Sequence, residues 1–478
     1  MQVNIPSYST SALLNPSYSS PSPALRLPEE LITYIFSYLS RKDLVHAGMV
    51  CRQWNRIKED PILWSSLYRC DFPFFTLHHS LSTKAMYINS FITQSNLKAG
   101  KIQKEIELPP YLGSKTLFDF SSSAGLLLVE AANRVRLWNI AHGRFQDFPP
   151  QLKGDICSLF SPDGSLLATA SSDGTVQVWN VITSTLVHDL KGPTGTVTHA
   201  FFSDNGEMLA ILFDDRLVIL WKVSTGECLH TFSHKEDIIH ATFSPDEKIL
   251  MVEYDNSNLH LWEIASGQTI HVFRYDEEIY ESSFSPDGKL LATIFADKTV
   301  RVWKVANGKL LYVLNHEGEV SDCRFSADGS LLATASQDHT VRLWKTASGQ
   351  LLHTFKHAGE INHVAFAPDG SKLATASQKN GAILWDIFSG HAIHHLKHDK
   401  EVQSVTFNPD GSILITTNFQ GQVCLWTVGE GVQFANLKSP DTIYNEIRMA
   451  FSKDGSIIAF ATNSNVRILS FNSLFLPS

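Results

Sequence analysis

Short apolar runs separated by turn residues fill most of the chain and recur at a constant distance. One clear copy, VSDCRFSADGSLLATASQDHTVRLWKTASGQLLHTF, covers residues 320–355. Its runs alternate apolar and polar positions, which predicts half-buried β-strands. We therefore expect four strands in each copy, here at about Val320–Ser326, Ser330–Ser336, Thr340–Lys345 and Gln350–Phe355.

The third strand carries a tryptophan in eight copies. A ninth copy, FSKDGSIIAFATNSNVRILS, has Leu469 at this position. A period near 40 residues with four strands per copy is typical of a β-propeller. We expect an all-β propeller over 106–478 with nine repeat units, or eight blades if the weak first or ninth unit is not a true blade. Residues 102–108 are expected to supply the outer strand of the last blade. The tryptophans are Trp138, Trp179, Trp221, Trp262, Trp303, Trp344, Trp385 and Trp426.

The first 105 residues have a different pattern. Residues 1–25 are rich in Ser and Pro without any periodicity and are predicted to form a disordered tail. Residues 26–72 predict a small all-α module, because Pro28 suits a first helical turn and apolar residues follow at helical spacing. Residues 73–105 are predicted to be a helical linker. A module this small cannot bury all of its apolar residues, which favours a partner.

Charge and cysteine usage exclude several classes of function. The net charge of −9 is concentrated in the repeats, and an acidic surface binds phosphate groups poorly. We therefore expect no nucleic acid and no membrane as a partner. No run of 18 apolar residues and no basic leader occurs, so neither a membrane span nor a signal peptide is predicted. The six cysteines form no CxxC pair, which favours reduced thiols inside a cell.

No catalytic constellation is found in the chain. The sequence contains no G-x-S-x-G, no P-loop, no dinucleotide fingerprint and no H-E-x-x-H. The histidines of HAIHHLKH, at 391–398, suggest a metal site, but they fall in a predicted strand, where solvent-facing histidines are the simpler interpretation. We expect a protein with no enzymatic activity, no cofactor and no metal site.

Six short motifs occur in order within residues 26–72: Leu27-Pro28, Tyr38-Leu39, Asp43-Leu44, Val50-Cys51, Trp54 and Leu63-Trp64. In this respect the module resembles the F-box. The resemblance implies a Skp-type adaptor as partner and, through it, the cullin of a cullin–RING ubiquitin ligase. It assigns the adaptor contacts to Leu27, Pro28, Leu31, Ile35, Leu39 and Val50.

The repeats resemble WD repeats. In that family His, Ser or Thr, Asp and Trp form one hydrogen-bonded set within a blade. The copy at 320–355 matches the set in full, whereas other copies match it in part. Because a buried set of this kind satisfies its own polar groups, we predict a structural role for it. The matching residues are His316, Ser336, Asp338 and Trp344.

Propellers bind ligands at one end of the central channel, where the connections between blades meet the turns between second and third strands. None of the predicted contacts there is Arg or Lys, which argues against a phosphorylated ligand, since arginine suits phosphate. Tyr280 and Phe419 are candidate aromatic anchors. We expect a neutral or basic peptide or protein ligand. The predicted contacts are Tyr280, Ser321, Gln337, Asn362, Gln378, Gln403 and Phe419.

The sequence as a whole predicts a substrate receptor without catalytic activity. Its F-box would dock to the adaptor, and its propeller would hold the protein to be ubiquitinated, contributing proximity alone. The alternative is a WD-repeat scaffold for protein assembly without a ubiquitin-ligase role. We expect an intracellular location, cytoplasmic or nuclear. The uniform copies (FSPDG, LLATAS, TVRLW) also resemble bacterial WD-repeat proteins. This resemblance implies, as a further alternative, that the protein is a secreted bacterial effector acting in the cytoplasm of a eukaryotic host.

Overall fold

The chain divides into two compact units, Met1–Ser90 and Phe91–Ser478, in the computed structural model. All residues that the structure describes lie in the second unit. The predicted tail, the predicted F-box module and nearly all of the predicted linker lie outside them. The described residues are 104–107, 117–120, 126–131, 134–139, 144–147, 156–438 except 172, 194, 196, 215, 256, 276 and 380, and 448–452, 455, 457–461 and 466–470.

The described residues form nine four-stranded antiparallel sheets, numbered 1 to 9 here, with strands a to d in order across each sheet. Sheets 1 to 3 contain β2 (Leu117–Phe120), β3 (Leu126–Ala131), β4 (Arg134–Asn139), β5 (Arg144–Asp147), β6 (Ile156–Phe160), β7 (Leu166–Ser171), β8 (Thr175–Asn180), β9 (Thr185–Lys191), β10 (Val197–Phe202), β11 (Met208–Phe213), β12 (Leu217–Lys222) and β13 (Glu227–Ser233). Sheets 4 to 6 contain β14 (Ile238–Phe243), β15 (Ile249–Tyr254), β16 (Asn258–Glu263), β17 (Gln268–Arg274), β18 (Ile279–Phe284), β19 (Leu290–Phe295), β20 (Thr299–Lys304), β21 (Lys309–Asn315), β22 (Val320–Phe325), β23 (Leu331–Ser336), β24 (Thr340–Lys345) and β25 (Leu351–Lys356).

Sheets 7 to 9 complete the series. They contain β26 (Ile361–Phe366), β27 (Lys372–Ser377), β28 (Ala382–Asp386), β29 (Ala392–Leu396), β30 (Ser404–Phe407), β31 (Ile413–Thr417), β32 (Gln422–Thr427), β33 (Gln433–Lys438), β34 (Arg448–Phe451), β35 (Ile457–Ala461), β36 (Val466–Ser470) and β1 (Lys104–Glu107). A single 3-10 turn, Val305–Asn307, interrupts the described strands. In sheet 6 the observed strands agree with the predicted ones to within about one residue at each end.

Sheet 9 takes its outer strand from the segment that precedes sheet 1. Strand β1 pairs antiparallel with β36, with Ile106 opposite Ile468, and β34 lies beside β2 of sheet 1. The start and the end of the repeat region are therefore joined. This confirms the strand predicted within residues 102–108.

The hydrophobic core lies between neighbouring sheets. Strands a of successive sheets lie side by side, as β22 does with β26, and each tryptophan of strand c packs against the preceding sheet. The rings of Phe355 in sheet 6 and Trp385 in sheet 7 are 4.9 Å apart between centroids, and those of Phe273 and Trp303 are 5.2 Å apart. Each sheet thus depends on its neighbour for burial of its apolar face.

The a–b turns are fixed by a serine and an aspartate. In sheet 6 the Ser326 hydroxyl donates to Asp328 Oδ1 at 2.6 Å and accepts the N–H of Leu331 at 3.0 Å. Gly329 has a φ of 70° in this turn, a left-handed conformation that glycine adopts at little steric cost. The same pair of side chains recurs at Ser161 and Asp163, Ser244 and Asp246, and Ser285 and Asp287.

A ring from strand d packs on the c–d turn of the next sheet. The Tyr312 hydroxyl donates to Ala347 O at 2.7 Å. Gly349 in the same turn has a φ of 67°, and a Cβ atom added to it would lie 2.5 Å from Tyr312 Cδ1. Histidines take the place of the tyrosine in other sheets, so the contact holds consecutive sheets together around the series. These histidines are His188, His230, His271, His353 and His394.

Candidate functional site

The connections between sheets and the b–c turns meet at one end of the propeller, as the sequence predicts. The backbone N–H of Gln337 in a b–c turn donates to Glu319 O, just before strand a, at 2.8 Å. The same bond joins Gln378 to Glu360 at 2.9 Å. Because the bond recurs, the two kinds of connection form one continuous surface, which we call the loop end.

In sheets 3 to 7 a bulge near the start of strand a places one side chain at the loop end. The register shifts between Val320 and Asp322 in sheet 6, and at the corresponding positions of sheets 3, 4, 5 and 7. A bulge adds one residue to one strand and redirects its side chain. The bulged residues include Ile239, which is 55% exposed, and Tyr280, which is 48% exposed.

Two of the predicted ligand contacts bind the neighbouring sheet instead of projecting freely. The Ser321 hydroxyl donates to Ile361 O at 2.5 Å, and the Asn362 amide donates to Val402 O at 2.8 Å. Each bond crosses from strand a of one sheet to the next sheet. A ligand that used these polar atoms would compete with a contact between sheets.

Of the other predicted contacts, Tyr280, Gln337, Gln378 and Phe419 are exposed, and Gln403 is half-buried. The Gln337 amide donates to Glu319 Oε2 at 3.3 Å and the Gln378 amide to Glu360 Oε2 at 2.9 Å. Phe419 is 38% exposed in the b–c turn of sheet 8. Since Tyr280 belongs to sheet 5, the two aromatic anchors lie on different parts of the loop end. Their role in binding stays a prediction.

A belt of charged side chains lies along strands a of sheets 5 to 7. Asp322 is buried, and its Oδ1 lies 2.9 Å from Arg324 Nε. Arg324 Nη1 also lies 3.2 Å from Glu281 Oε1 in the preceding sheet. On the other side, in the following sheet, His363 Nε2 lies 3.6 Å from Asp322 Oδ2. These contacts join three sheets through side chains.

Partial burial of the belt shifts the pKa values of its titratable side chains. Burial raises the pKa of Glu281, and Arg324 opposes this rise. Burial also lowers the pKa of His363, although Asp322 acts in the opposite direction. The sequence does not predict the belt from single residues, because its members have the pattern of ordinary polar positions of a strand. What indicates it is that Glu281, Asp322 and His363 are each one repeat apart.

Glu253 places a carboxylate at a core position of sheet 4. It is 6% exposed and lies opposite His240 in the strand pairing. The equivalent residues of sheets 6 and 7 are Ala335 and Ala376, which are fully buried. Glu253 Oε1 makes no hydrogen bond with any described residue, and Oε2 lies 4.0 Å from His240 Nδ1. Burial raises the pKa of Glu253 to about 7.

The hydrogen-bonded set of sheet 6 differs from the prediction in one residue. Thr334, not Ser336, connects the histidine to the tryptophan. Its Oγ1 lies 2.7 Å from His316 Nε2 and accepts the indole N–H of Trp344 at 2.9 Å. His316 Nδ1 lies 3.1 Å from Asp338 Oδ2. The set is buried and internally satisfied, as a structural role requires.

The prediction for Ser336 is wrong because of the length of a tryptophan side chain. Trp344 pairs with Leu332 in the neighbouring strand, and its indole reaches two residues along that strand, about 7 Å, rather than four. Ser336 has a different role in the b–c turn. Its hydroxyl accepts the N–H of Asp338 at 3.1 Å and donates to Gly318 O at 3.1 Å.

The bond between threonine and tryptophan recurs in sheets 2, 5, 7 and 8. His398 also contacts Thr416 Oγ1 at 2.7 Å, as His316 contacts Thr334. The histidines of HAIHHLKH therefore include two with structural contacts, since His394 lies 3.1 Å from Gly429 O. No group of His, Cys, Asp or Glu with metal-binding geometry occurs among the described residues. The recurring bonds are Trp179–Thr169, Trp303–Thr293, Trp385–Thr375 and Trp426–Thr416, at 3.3, 3.0, 3.0 and 3.0 Å.

Comparison with protein families yields two matches in the chain. The family described as "F-box-like" matches residues 24–70. The family "WD domain, G-beta repeat" matches residues 147–180, 226–263, 267–304, 308–345, 349–386 and 390–427. The repeat sheets and these matches define a WD40-repeat propeller protein. Together with the F-box-like match, they confirm that the chain is one of the F-box/WD-repeat proteins.

Curated relatives of the chain are described as F-box proteins, and some of them as F-box/WD-repeat proteins. The chain is 25% identical to an F-box protein of Saccharomyces cerevisiae over 168 residues, which are 34% of this chain and 24% of that protein. It is 25% identical to the human "F-box/WD repeat-containing protein 12" over 172 residues, 33% of this chain and 37% of that protein. The chain thus spans less than two fifths of the length of either relative.

Solved structures share the fold. The C-terminal WD40 domain of Sif2 matches with a TM-score of 0.53 and 19% identity, over 67% of this chain and 95% of that one. A computationally designed protein, Ika8, matches with a TM-score of 0.52 and 21% identity, over 67% and 98% of the two chains. No helix in the described part of the chain is long and apolar enough to cross a bilayer.

Proposed function

We propose that the chain is the substrate-recognition subunit of an SCF-type ubiquitin ligase. The F-box binds a Skp-type adaptor and through it the cullin, while the propeller binds the protein to be ubiquitinated. The observation that supports this most is the combination of an F-box-like segment at 24–70 with WD40 repeats in one chain. The same combination appears in the name of the human relative.

The adaptor contacts in this proposal belong to the first unit of the chain. Leu31 and Ile35 are four residues apart, so on a helix they share one face. Burial of such apolar side chains against a partner contributes about 1.5–3 kcal/mol each. Leu27, Pro28, Leu39 and Val50 complete the set. All six lie outside the described residues.

The propeller contributes binding and proximity, without catalysis of its own. We propose that its nine sheets are nine blades of one closed ring, supported by the pairing of β1 with β36 and the contact of β34 with β2. Such a ring presents the loop end as a rigid surface. A bound protein would be held near the transfer enzyme, which raises the effective concentration of its lysines.

A pull-down of the full-length chain tests the adaptor interaction. Leu31→Asp combined with Ile35→Asp should abolish recovery of the Skp-type adaptor and the cullin, because two charges would enter an apolar interface. The matched control is Ile182→Asp with Phe388→Asp, since these propeller residues are 79% and 84% exposed. The control pair should recover the adaptor as the wild type does.

The alternative function is a scaffold that assembles proteins through the propeller without a ubiquitin-ligase role. If the wild-type chain recovers no adaptor while the propeller still captures a protein, the scaffold replaces the receptor. The receptor requires an intracellular location, cytoplasmic or nuclear. A secreted bacterial effector would carry out the same function in the cytoplasm of a host cell, and fractionation of expressing cells separates these locations.

A further inference from the structure

The loop end around sheets 4 to 6 carries more carboxylates than cations. Two of the cations there are already engaged: Arg216 Nε lies 2.6 Å from Asp237 Oδ1, and Lys298 Nζ donates to Glu317 O at 3.1 Å. The surface therefore has a negative field that favours cations. We call it the acidic face, and its carboxylates in the connections are Glu236, Asp255, Glu277, Glu278, Glu317 and Glu319.

Two further carboxylates lie where the acidic face meets strands a. The Glu281 side chain is 39% exposed, and Glu253 is buried beside it. Burial raises the pKa of Glu253, and the charge of Glu281 adds to this rise. Arg324 is shared between Glu281 and Asp322. Burial lowers the pKa of His240, which disfavours a charged imidazole next to Glu253.

Glu253 is the observation that separates this site from an ordinary acidic surface. Its side chain is 8% exposed, and its Oε1 has no hydrogen-bond partner among the described residues. The nearby Ser282 hydroxyl opposes the rise in the pKa of Glu253 without meeting hydrogen-bond geometry. A buried carboxylate without a partner is costly, and a cation brought to it would remove most of that cost.

Exposed apolar side chains stand beside these carboxylates. Ile239 and Tyr280 occupy the bulges of neighbouring strands a, and both are about half exposed. Desolvation raises the pKa of Tyr280, and the charges of Glu319 and Glu278 add to the rise. The site thus combines negative charge with apolar surface that a ligand can cover.

We infer that the acidic face holds a basic segment of the partner protein and that one lysine or arginine side chain of this segment pairs with Glu281, beside the buried Glu253. The inference rests on the proposed function of the loop end as the ligand surface. The positive charge of that side chain would lie close enough to the buried Glu253 to offset part of the cost of ionising that carboxylate. Apolar residues next to it would cover Ile239 and Tyr280, whereas an acidic segment would be repelled.

The test uses the full-length chain and an array of short synthetic peptides of equal length, in basic, neutral and acidic versions with the same leucine anchor. The wild type should retain the basic peptides, and rising salt should weaken their retention. Glu253→Gln with Glu281→Gln should lower the affinity for basic peptides about tenfold or more, because it removes the exposed charge of Glu281 and the ionisable carboxyl of Glu253 behind it. Glutamine has nearly the shape of glutamate, and thermal unfolding checks that the variant is folded.

The matched control is Glu207→Gln with Glu430→Gln. Both glutamates are exposed in turns at the opposite end of the propeller, so the control makes the same change in net charge away from the site. It should retain basic peptides as the wild type does. An equal loss in both variants, retention of acidic peptides, or no retention of any peptide by the wild type contradicts the inference.

Failure of this inference is distinguishable from failure of the proposed function. If the wild-type chain recovers the adaptor but its retention of basic peptides does not depend on Glu253 and Glu281, only the inference about the basic segment fails. If the wild-type chain recovers no adaptor, the proposed receptor function fails, whatever the peptides show.

Discussion

Sheets 4 and 6 are built on the same repeat, but their polar residues have different surroundings. In sheet 6 Thr334 joins His316 to Trp344, so every member of the set has a partner. In sheet 4 the threonine position is Val252, and the next residue, Glu253, buries a carboxylate oxygen that has no partner among the described residues. A copy that keeps the set is stabilised by its own side chains. A copy that lacks it, such as sheet 4, retains buried polar atoms without a hydrogen-bond partner among the described residues.

The largest expected effect comes from removing Asp338 from the set of sheet 6. Its side chain is 6% exposed, and it accepts hydrogen bonds from His316 and from the backbone of Glu317. Asp338→Ala should lower the free energy of unfolding by about 3–5 kcal/mol, since buried partners lose their acceptor. Chemical denaturation followed by tryptophan fluorescence measures this loss.

The seventh sheet supplies the control for this prediction. Lys379 occupies the position of Asp338 there and is exposed. Lys379→Ala should change the free energy of unfolding by less than about 0.5 kcal/mol. Equal losses in the two variants would show that the complete set of sheet 6 gives it no special stability.

The next effect has the opposite sign and belongs to sheet 4. The pKa of Glu253 is about 7 in the folded chain, against 4.5 ordinarily. The folded state therefore binds its proton more tightly, and stability is lost as the pH rises from 4.5 toward 7. Glu253→Gln removes this loss and should raise the free energy of unfolding by about 3 kcal/mol at neutral to alkaline pH, with no gain at acid pH.

Denaturation curves of Glu253→Gln at both pH values measure this difference. The exposed Glu430 provides the control, because Glu430→Gln should leave stability unchanged at either pH. A gain for Glu253→Gln that persists undiminished at acid pH would show that packing, rather than charge, is its cause.

A third, smaller effect concerns the packing of the Tyr312 ring of sheet 5 on the c–d turn of sheet 6. Gly349→Ala should cost about 2–3 kcal/mol, because a Cβ would lie 2.5 Å from Tyr312 Cδ1 at a φ of 67°. Gly370→Ala should cost about 1 kcal/mol, since its φ is 69° but nothing lies within 4 Å. Thermal unfolding compares the two variants. If both lose the same stability, the aromatic contact between sheets adds nothing to the backbone strain.

The smallest effect separates structure from binding at the loop end. Ser321→Ala removes the hydroxyl that donates to Ile361 O and should cost about 1 kcal/mol of stability. The same variant should retain peptides as the wild type does, whereas Tyr280→Ala should weaken their retention. Weakened retention by Ser321→Ala with unchanged stability would instead assign Ser321 to the ligand site.

The periodic part of the fold is predictable from the sequence because strand patterning and turn residues are local signals. The strands of sheet 6 and the closing strand β1 are examples. Hydrogen bonds between side chains are harder to predict, since they depend on how far a ring reaches across a strand. This is why the sequence pattern indicates Ser336 in place of Thr334, although a threonine ten residues before the tryptophan recurs in five sheets.

The location of the ligand site at the loop end stays a prediction. The sequence does not show that Ser321 and Asn362 bond to the next sheet. Glu253 was missed because it lies in an apolar strand, where a single charge looks like an exposed residue. Its equivalents Ala335 and Ala376 carry the signal, since they mark the position as part of the core.

The pairing of β1 with β36 also has a consequence for the order of folding. Lys104–Glu107 leaves the ribosome before any of sheets 1 to 8, yet its partner Val466–Ser470 is made after them. Until then β1 has no strand to pair with, and an unpaired edge can associate with other chains. Closing so long a loop is also entropically slow. Strand β1 therefore stays unpaired during synthesis until the last strand of the propeller has been made.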